Sequence, residues 1–218
     1  MDKKRVRSFF KVAHEFMIKN FPDELEYIRD SSPEKFRKMN AKEFLGEYCW
    51  VVYASGFSER ILSEKFANLE KAFKNFDIEK LCKMRSLKEV LRIFNNERKA
   101  NCFLNGVKQI HKEGFSNFKK RVLKEGMEVL KELPGIGDVT KKHLARNIGI
   151  SDVSKDDIWL KRLAQKLKAR DVEELTEFLA KEFNEKRGVV DIILWRFCAE
   201  KAWKEYGFNT LDAFVKSL

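Results

Sequence analysis

The chain has 218 residues, 44% of them hydrophobic, with 19 Phe and with 45 Lys and Arg against 34 Asp and Glu, a net charge of +11. That length suits one compact module, or two small ones sharing a cleft, and is long enough to bury a real core. The positive charge suits a polyanionic partner and salt-sensitive binding, although a lysine-rich composition spread along the chain gives the same sum.

Cys49, Cys82, Cys102 and Cys198 form no C-x-x-C pair and are widely spaced, which speaks against a secreted disulfide framework and for reduced thiols in a cytoplasmic protein. His14, His111 and His143 are too scattered for a zinc motif. No apolar run reaches membrane-spanning length, and the basic N-terminus lacks an apolar stretch of the signal-peptide kind.

In chain order nearly everything reads as helix, so the expected class is all-α. Over residues 5–19, Val6, Phe9, Phe10, Ala13, Phe16 and Met17 fall on one stripe. Pro22 and Ser31-Ser32-Pro33 break the pattern. Asn40 and Glu43 read as a capping box opening a helix that runs through Phe44, Leu45 and Tyr48 into Trp50-Val51-Val52-Tyr53-Ala54. Ser55-Gly56-Phe57-Ser58 separates it from a helix with Ile61, Leu62, Phe66, Leu69 and Phe73 on its apolar face. Asp77 caps a short helix at 78–83, and Ser86 with Glu89 reads as a second capping box. A longer helix starts near 96 and ends near Gly114. The next runs from about Ser116 into Leu133-Pro134-Gly135-Ile136-Gly137, carrying Lys119, Lys120, Arg121 and Lys124, which read either as a backbone-facing cluster or as a solvated face.

Gly135 and Gly137 read as a tight turn before a helix striped by Val139, Leu144, Ala145 and Ile148. Free amides at the start of that helix make an anion site by geometry and dipole, with Thr140 and Lys141 in reach. Ser154 and Asp157 read as an S-x-x-D capping box. Later helices cover 158–168, a segment capped by Asp171, and the apolar stretch Val189–Trp203 after Arg187-Gly188, with a short packing helix around Leu211, Phe214 and Val215.

The turn Leu133–Gly137, followed by Asp157, Leu160 and Arg162, resembles the helix-hairpin-helix DNA glycosylase superfamily that includes endonuclease III and the alkylpurine glycosylases. Those proteins carry an LPGVG-like hairpin and then an Asp in a D-x-H-[VL]-x-R pattern; Trp159 stands here in place of the His. The looser likeness extends over about residues 40–165. The resemblance implies a two-lobed all-α fold with a cleft, residues 1–35 and 150–218 forming one discontinuous lobe and 36–149 the lobe that ends in the hairpin.

It further implies Asp157 as the catalytic carboxylate, and Gly135, Ile136, Gly137, Thr140 and Lys141 as DNA contacts. Ser55 and Phe57 fall near the wedge that enters the gap left by a flipped base, and Trp50, Tyr53, Trp159 and Trp195 are candidates for the base pocket, core packing being the competing explanation for each. The lyase lysine of some members falls here on Val139, which implies a monofunctional enzyme; Lys142, one turn along, is the displaced alternative, with Lys141 beside it. No cofactor is required on this reading. An auxiliary monovalent or divalent ion under the hairpin carbonyls is implied without a catalytic metal, and the iron–sulfur loop is missing, since only Cys198 lies in the C-terminal part.

The expected activity is hydrolytic release of a damaged base from double-stranded DNA, an alkylated purine first, by a monomer associated with the nucleoid. The alternatives are an oxidised-purine (8-oxoguanine-type) glycosylase with lyase activity, and a non-catalytic helix-hairpin-helix DNA-binding module.

Overall fold

The computed structural model describes residues 1–218 and is all-α: fourteen α-helices and three short 3₁₀ segments, without a strand. No helix is long and apolar enough to cross a membrane. The chain divides into two compact units, Met1–Ser31 with Asp152–Leu218, and Ser32–Ser151.

The first unit opens with α1 (Lys3–Asn20) and α2 (Pro22–Asp30). The α1 stripe Val6, Phe9, Phe10, Ala13, Phe16 and Met17 is entirely buried, as its 3.6-residue spacing requires. The second unit runs through α3 (Pro33–Lys38), α4 (Ala41–Ala54), α5 (Glu59–Ala72), α6 (Ile78–Cys82), α7 (Lys88–Ile93), α8 (Glu97–Glu113), α9 (Phe115–Glu125) and α10 (Asp138–Asn147). The chain then completes the first unit with α11 (Ile158–Lys166), α12 (Val172–Phe183), α13 (Arg187–Ala199) and α14 (Leu211–Ser217).

In the first unit α13 is the central rod. Every residue from Gly188 to Cys198 is buried, and α1, α2, α11 and α12 pack around it. Phe197 meets the rings of Phe9 and Phe214 at 5.1 and 5.2 Å. Its one buried guanidinium in that run, Arg196, is matched by Glu24 of α2, with Nε–Oε2 at 2.6 Å and Nη2–Oε1 at 3.0 Å. A buried cation needs such a bidentate partner to offset its desolvation.

In the second unit α4 plays the same part, packing on α5, α8 and α10. Its Tyr48 is fully buried, and the hydroxyl donates to the Pro134 carbonyl at 2.5 Å, with the Cys102 carbonyl of α8 at 3.1 Å as a second acceptor. One side chain therefore joins α4, α8 and the turn before α10. The ring fits because α8 has Gly106 opposite it: a Cβ there would stand 2.3 Å from the Tyr48 oxygen.

Cap chemistry settles most boundaries. Asn40 and Glu43 form the reciprocal capping box at α4, and Asp77 and Asp171 cap α6 and α12. Three local expectations are corrected. The helix before the glycine turn does not reach it: α9 ends at Gly126, whose φ of 82° leaves the helical region, and a 3₁₀ segment, Met127–Glu132, follows. Ser86 and Glu89 form no box, because Leu87 is the N-cap of α7 and Glu89 pairs instead with Lys74 at 2.9 Å. The apolar helix starts at Arg187, with Gly188 inside its first turn, and stops at Ala199.

Gly106→Ala is expected to destabilise the protein by about 1–3 kcal/mol, the usual cost of overpacking, because the ring it strikes is held by its hydroxyl. Urea denaturation with Tyr48→Phe/Gly106→Ala as the companion variant checks this: removing the hydroxyl should return part of the loss.

Candidate functional site

Asp157 is the N-cap of α11, not its third residue. Its Oδ1 accepts from the amides of Trp159 and Leu160 at 2.9 and 3.0 Å. The expected pairing with Ser154 does not form, because the Ser154 hydroxyl is buried against Thr176, whose Oγ1 donates to it at 3.1 Å. The helix start thus takes one carboxylate oxygen and leaves the other, Oδ2, facing the Lys155 ammonium at 3.5 Å. Both side chains are mostly covered, with 16% and 13% of their surface accessible. An acid in this position is favoured by the positive end of the helix dipole.

The loop that carries Asp157 is tied to α13 at two points. Asp152 accepts from the amides of Arg187 and Gly188 at 3.0 and 2.8 Å, closing the N-terminus of α13. Asp191, fully buried within α13, accepts from the Lys155 amide at 2.8 Å. Asp191, Trp195 and Cys198 stand at i, i+4 and i+7 and form one stripe of that helix. Lys155 Nζ lies 4.9 Å from the Trp195 ring centroid, a cation–π distance. Burial and the nearby Asp157 charge push the Cys198 thiol well above its ordinary range, so it stays protonated. Trp195 is 9% exposed and belongs to this unit's core. Trp159 is half-buried, packed near Trp203 at 6.2 Å and under the Arg162 guanidinium at 5.5 Å. Ile158, between Asp157 and Trp159, is 59% exposed.

The second unit holds the other candidates. Gly135 is exposed at φ 85°, and a Cβ there would press on Cys102 and Val52 at 3.2 and 3.4 Å, so the turn requires glycine. Ile136 is buried beneath it. Gly137 is the N-cap of α10, and its amide donates to the Thr140 hydroxyl at 2.7 Å. Thr140 therefore satisfies one amide of the turn, leaving the amides that open α10 as the anion-facing groups. Lys141 is engaged by two carboxylates, Glu128 at 2.6 Å and Asp138 at 3.1 Å, and Asp138 also takes Lys131 at 2.8 Å. The hydrogen bond from Glu128 raises the Lys141 pKa, and that from Lys131 lowers the Asp138 pKa. This patch is neutral as a group, so attraction for a phosphate here comes from amides and dipole rather than from Lys141. Val139 is exposed at 41%. Lys142, partly buried, lies beyond it on α10. In the basic cluster of α9, Arg121 is held by Glu113 and Glu132, and Lys119 by the carbonyls of Arg37 and Met39.

Ser55 ends α4, and Phe57 stands 43% exposed, with one edge resting on Phe94. The turn between them is braced by Lys99. Its ammonium donates to the carbonyls of Val52 and Tyr53 at 2.7 and 2.9 Å and to that of Ser55, and lies 4.9 Å from the Phe57 centroid. Burial pushes the Lys99 amine down to about 8, against the hold of the carbonyls on its protonated form. Tyr53 is fully buried between Phe73 and Phe94, and Trp50 packs against Phe66. No group of three or more His, Cys, Asp or Glu gathers in metal-binding proximity.

Three residues of this site escaped the sequence reading. Lys99 sits on the apolar face of α8, four residues before Phe103, and Asp191 interrupts Val189-Val190-Asp191-Ile192-Ile193; each was a visible polar residue at a core position that demanded a partner. Lys155 lies in a loop, where no periodicity marks it.

Two stability outcomes follow. Asp157→Asn keeps a capping acceptor and should cost only a few tenths of a kcal/mol, whereas Asp157→Ala should cost about 1 kcal/mol, read from urea midpoints. Lys99→Met should cost about 1–3 kcal/mol by stranding charge-assisted acceptors, and amide exchange should accelerate first at residues 55–58.

Comparison with protein-family models, with curated proteins and with solved structures gives no match.

Proposed function

We propose that this chain is a two-lobed, helix-hairpin-helix DNA glycosylase that flips out a damaged base, an alkylated purine first, and releases it by hydrolysis to leave an abasic site in double-stranded DNA. The observation that carries the reading is Asp157: a carboxylate fixed at a helix start, with one oxygen bound to two amides and the other directed away from them. Breaking an N-glycosidic bond builds positive charge on the deoxyribose. A preorganised carboxylate stabilises that charge and orients or deprotonates the attacking water.

The remaining features support the DNA side of the proposal. The amides opening α10 behind Gly135 and Gly137 suit a strand phosphate, with any auxiliary ion at the turn's carbonyls. Phe57 presents an aromatic ring for the gap left by the flipped base, where it would offset part of an unstacking cost of a few kcal/mol. The net charge of +11 suits the duplex. The protein would work as a monomer in the cytoplasm, at the nucleoid.

The reading is tested by base release from a panel of duplexes, each with one lesion, for wild type and Asp157→Asn. Base should be released from at least one alkylated purine, at a rate that falls by about 100-fold or more in the Asn variant, the scale for loss of a transition-state charge partner. Duplex affinity should stay within a few-fold and weaken steeply with salt. Intact binding with no release from any lesion would instead identify a non-catalytic DNA-binding module.

A further inference from the structure

The Lys155–Asp157 pair contains a chemical conflict. A carboxylate that is to stabilise a developing cation already faces an ammonium 3.5 Å away, held over the Trp195 ring at 4.9 Å. The lysine is fixed from both ends, its amide on Asp191 and its ammonium on Asp157. Any sugar carbon that Asp157 Oδ2 contacts therefore lies within a short side-chain movement of Lys155 Nζ. The position in α10 after the glycine turn offers no amine, since Val139 occupies it, and Lys141 beyond it is bound to Glu128 and Asp138. Lys155 is the lysine in contact with the candidate carboxylate.

We propose that Lys155 is an amine nucleophile that acts on the abasic site, giving the protein a strand-cleaving lyase activity with Asp157 as its proton carrier. The proposal rests on the reading that Asp157 faces a DNA sugar, and it adds a second step to base release. Asp157 takes a proton from the ammonium, and the Nζ lone pair adds to C1′ of the ring-opened aldehyde. One amine proton moves to the aldehyde oxygen. The proton on Asp157 follows, so that the oxygen leaves as water and an iminium remains beside an ionised carboxylate. Asp157 then removes a proton from C2′. The electrons form the C2′–C3′ double bond as the C3′–O bond breaks, its pair leaving with the 5′-phosphate of the downstream strand. Water hydrolyses the iminium, restoring the lysine and leaving an unsaturated aldehyde on the 3′ end. No oxidant, reductant or metal enters the balance.

The test uses a duplex carrying one preformed natural abasic site, so base excision is bypassed, with borohydride to reduce any iminium to a stable amine and undamaged duplex as competitor. Wild-type protein should form a covalent complex, and peptide mapping should place the adduct on Lys155. Lys155→Arg, which keeps the cation but not the nucleophile, should lower trapping by about 100-fold or more with an unchanged thermal midpoint. An adduct on Lys142 or any other lysine overturns the proposal, as does a wild type that yields no adduct. The mapping is made on wild type, so it decides even where the variant is unstable. Trapping at Lys155 without base release from any lesion would sink the glycosylase reading alone, and base release without trapping would sink the lyase alone.

Discussion

A buried carboxylate in the middle of an apolar helix governs the first unit. Asp191 is fully enclosed in α13, and an ionised group in that setting is tolerated only if donors surround it. One of those donors is the backbone of Lys155. The need to satisfy Asp191 therefore dictates where the loop before α11 must run, and Asp152, bonded to the first amides of α13, fixes the other end of the same loop. Asp157 inherits its place from these two constraints and from the amides of α11. A residue held through backbone donors on three sides does not depend on its own rotamer freedom for position, which is what a preorganised carboxylate requires.

The apolar architecture was legible because helical burial is periodic. The α1 stripe of six residues is the buried set of that helix, and the Asn40, Asp77 and Asp171 caps stand where short polar side chains precede apolar runs. The polar wiring was less so. Ser154 and Asp157 have the spacing of a capping box, yet Thr176, distant in sequence, claims the serine. Glu89 has the spacing too, and Lys74 claims it. Local spacing predicts a hydrogen bond only when no tertiary partner competes, and sequence cannot rank the competitors. The 3₁₀ segment before the glycine turn was hidden for a related reason, since its apolar residues keep a helix-compatible rhythm through a break in the backbone.

The charge of the chain was visible as a sum but not as a map. Lys141, Arg121 and Lys119 look in sequence like cations waiting for an anion, and each is engaged inside its own unit. The turn at Gly135–Gly137 attracts an anion through amides instead. A site of that kind recognises the geometry of a phosphate oxygen, where a lysine cluster would recognise any dense negative charge.

Tyr48 gives α4 a further property. Midway along the helix its hydroxyl grips the carbonyl of Pro134 in the glycine turn, and at the helix end the carbonyls of Val52, Tyr53 and Ser55 grip Lys99 beneath the Phe57 turn. Two surface turns far apart in sequence thus hang from a single rigid rod. Seven residues separate Tyr48 from Ser55, roughly 10 Å of rise along a helix axis. The helix acts as a ruler: whatever touches one turn meets the other at a set interval, and a shift of α4 would move both together without changing the distance between them.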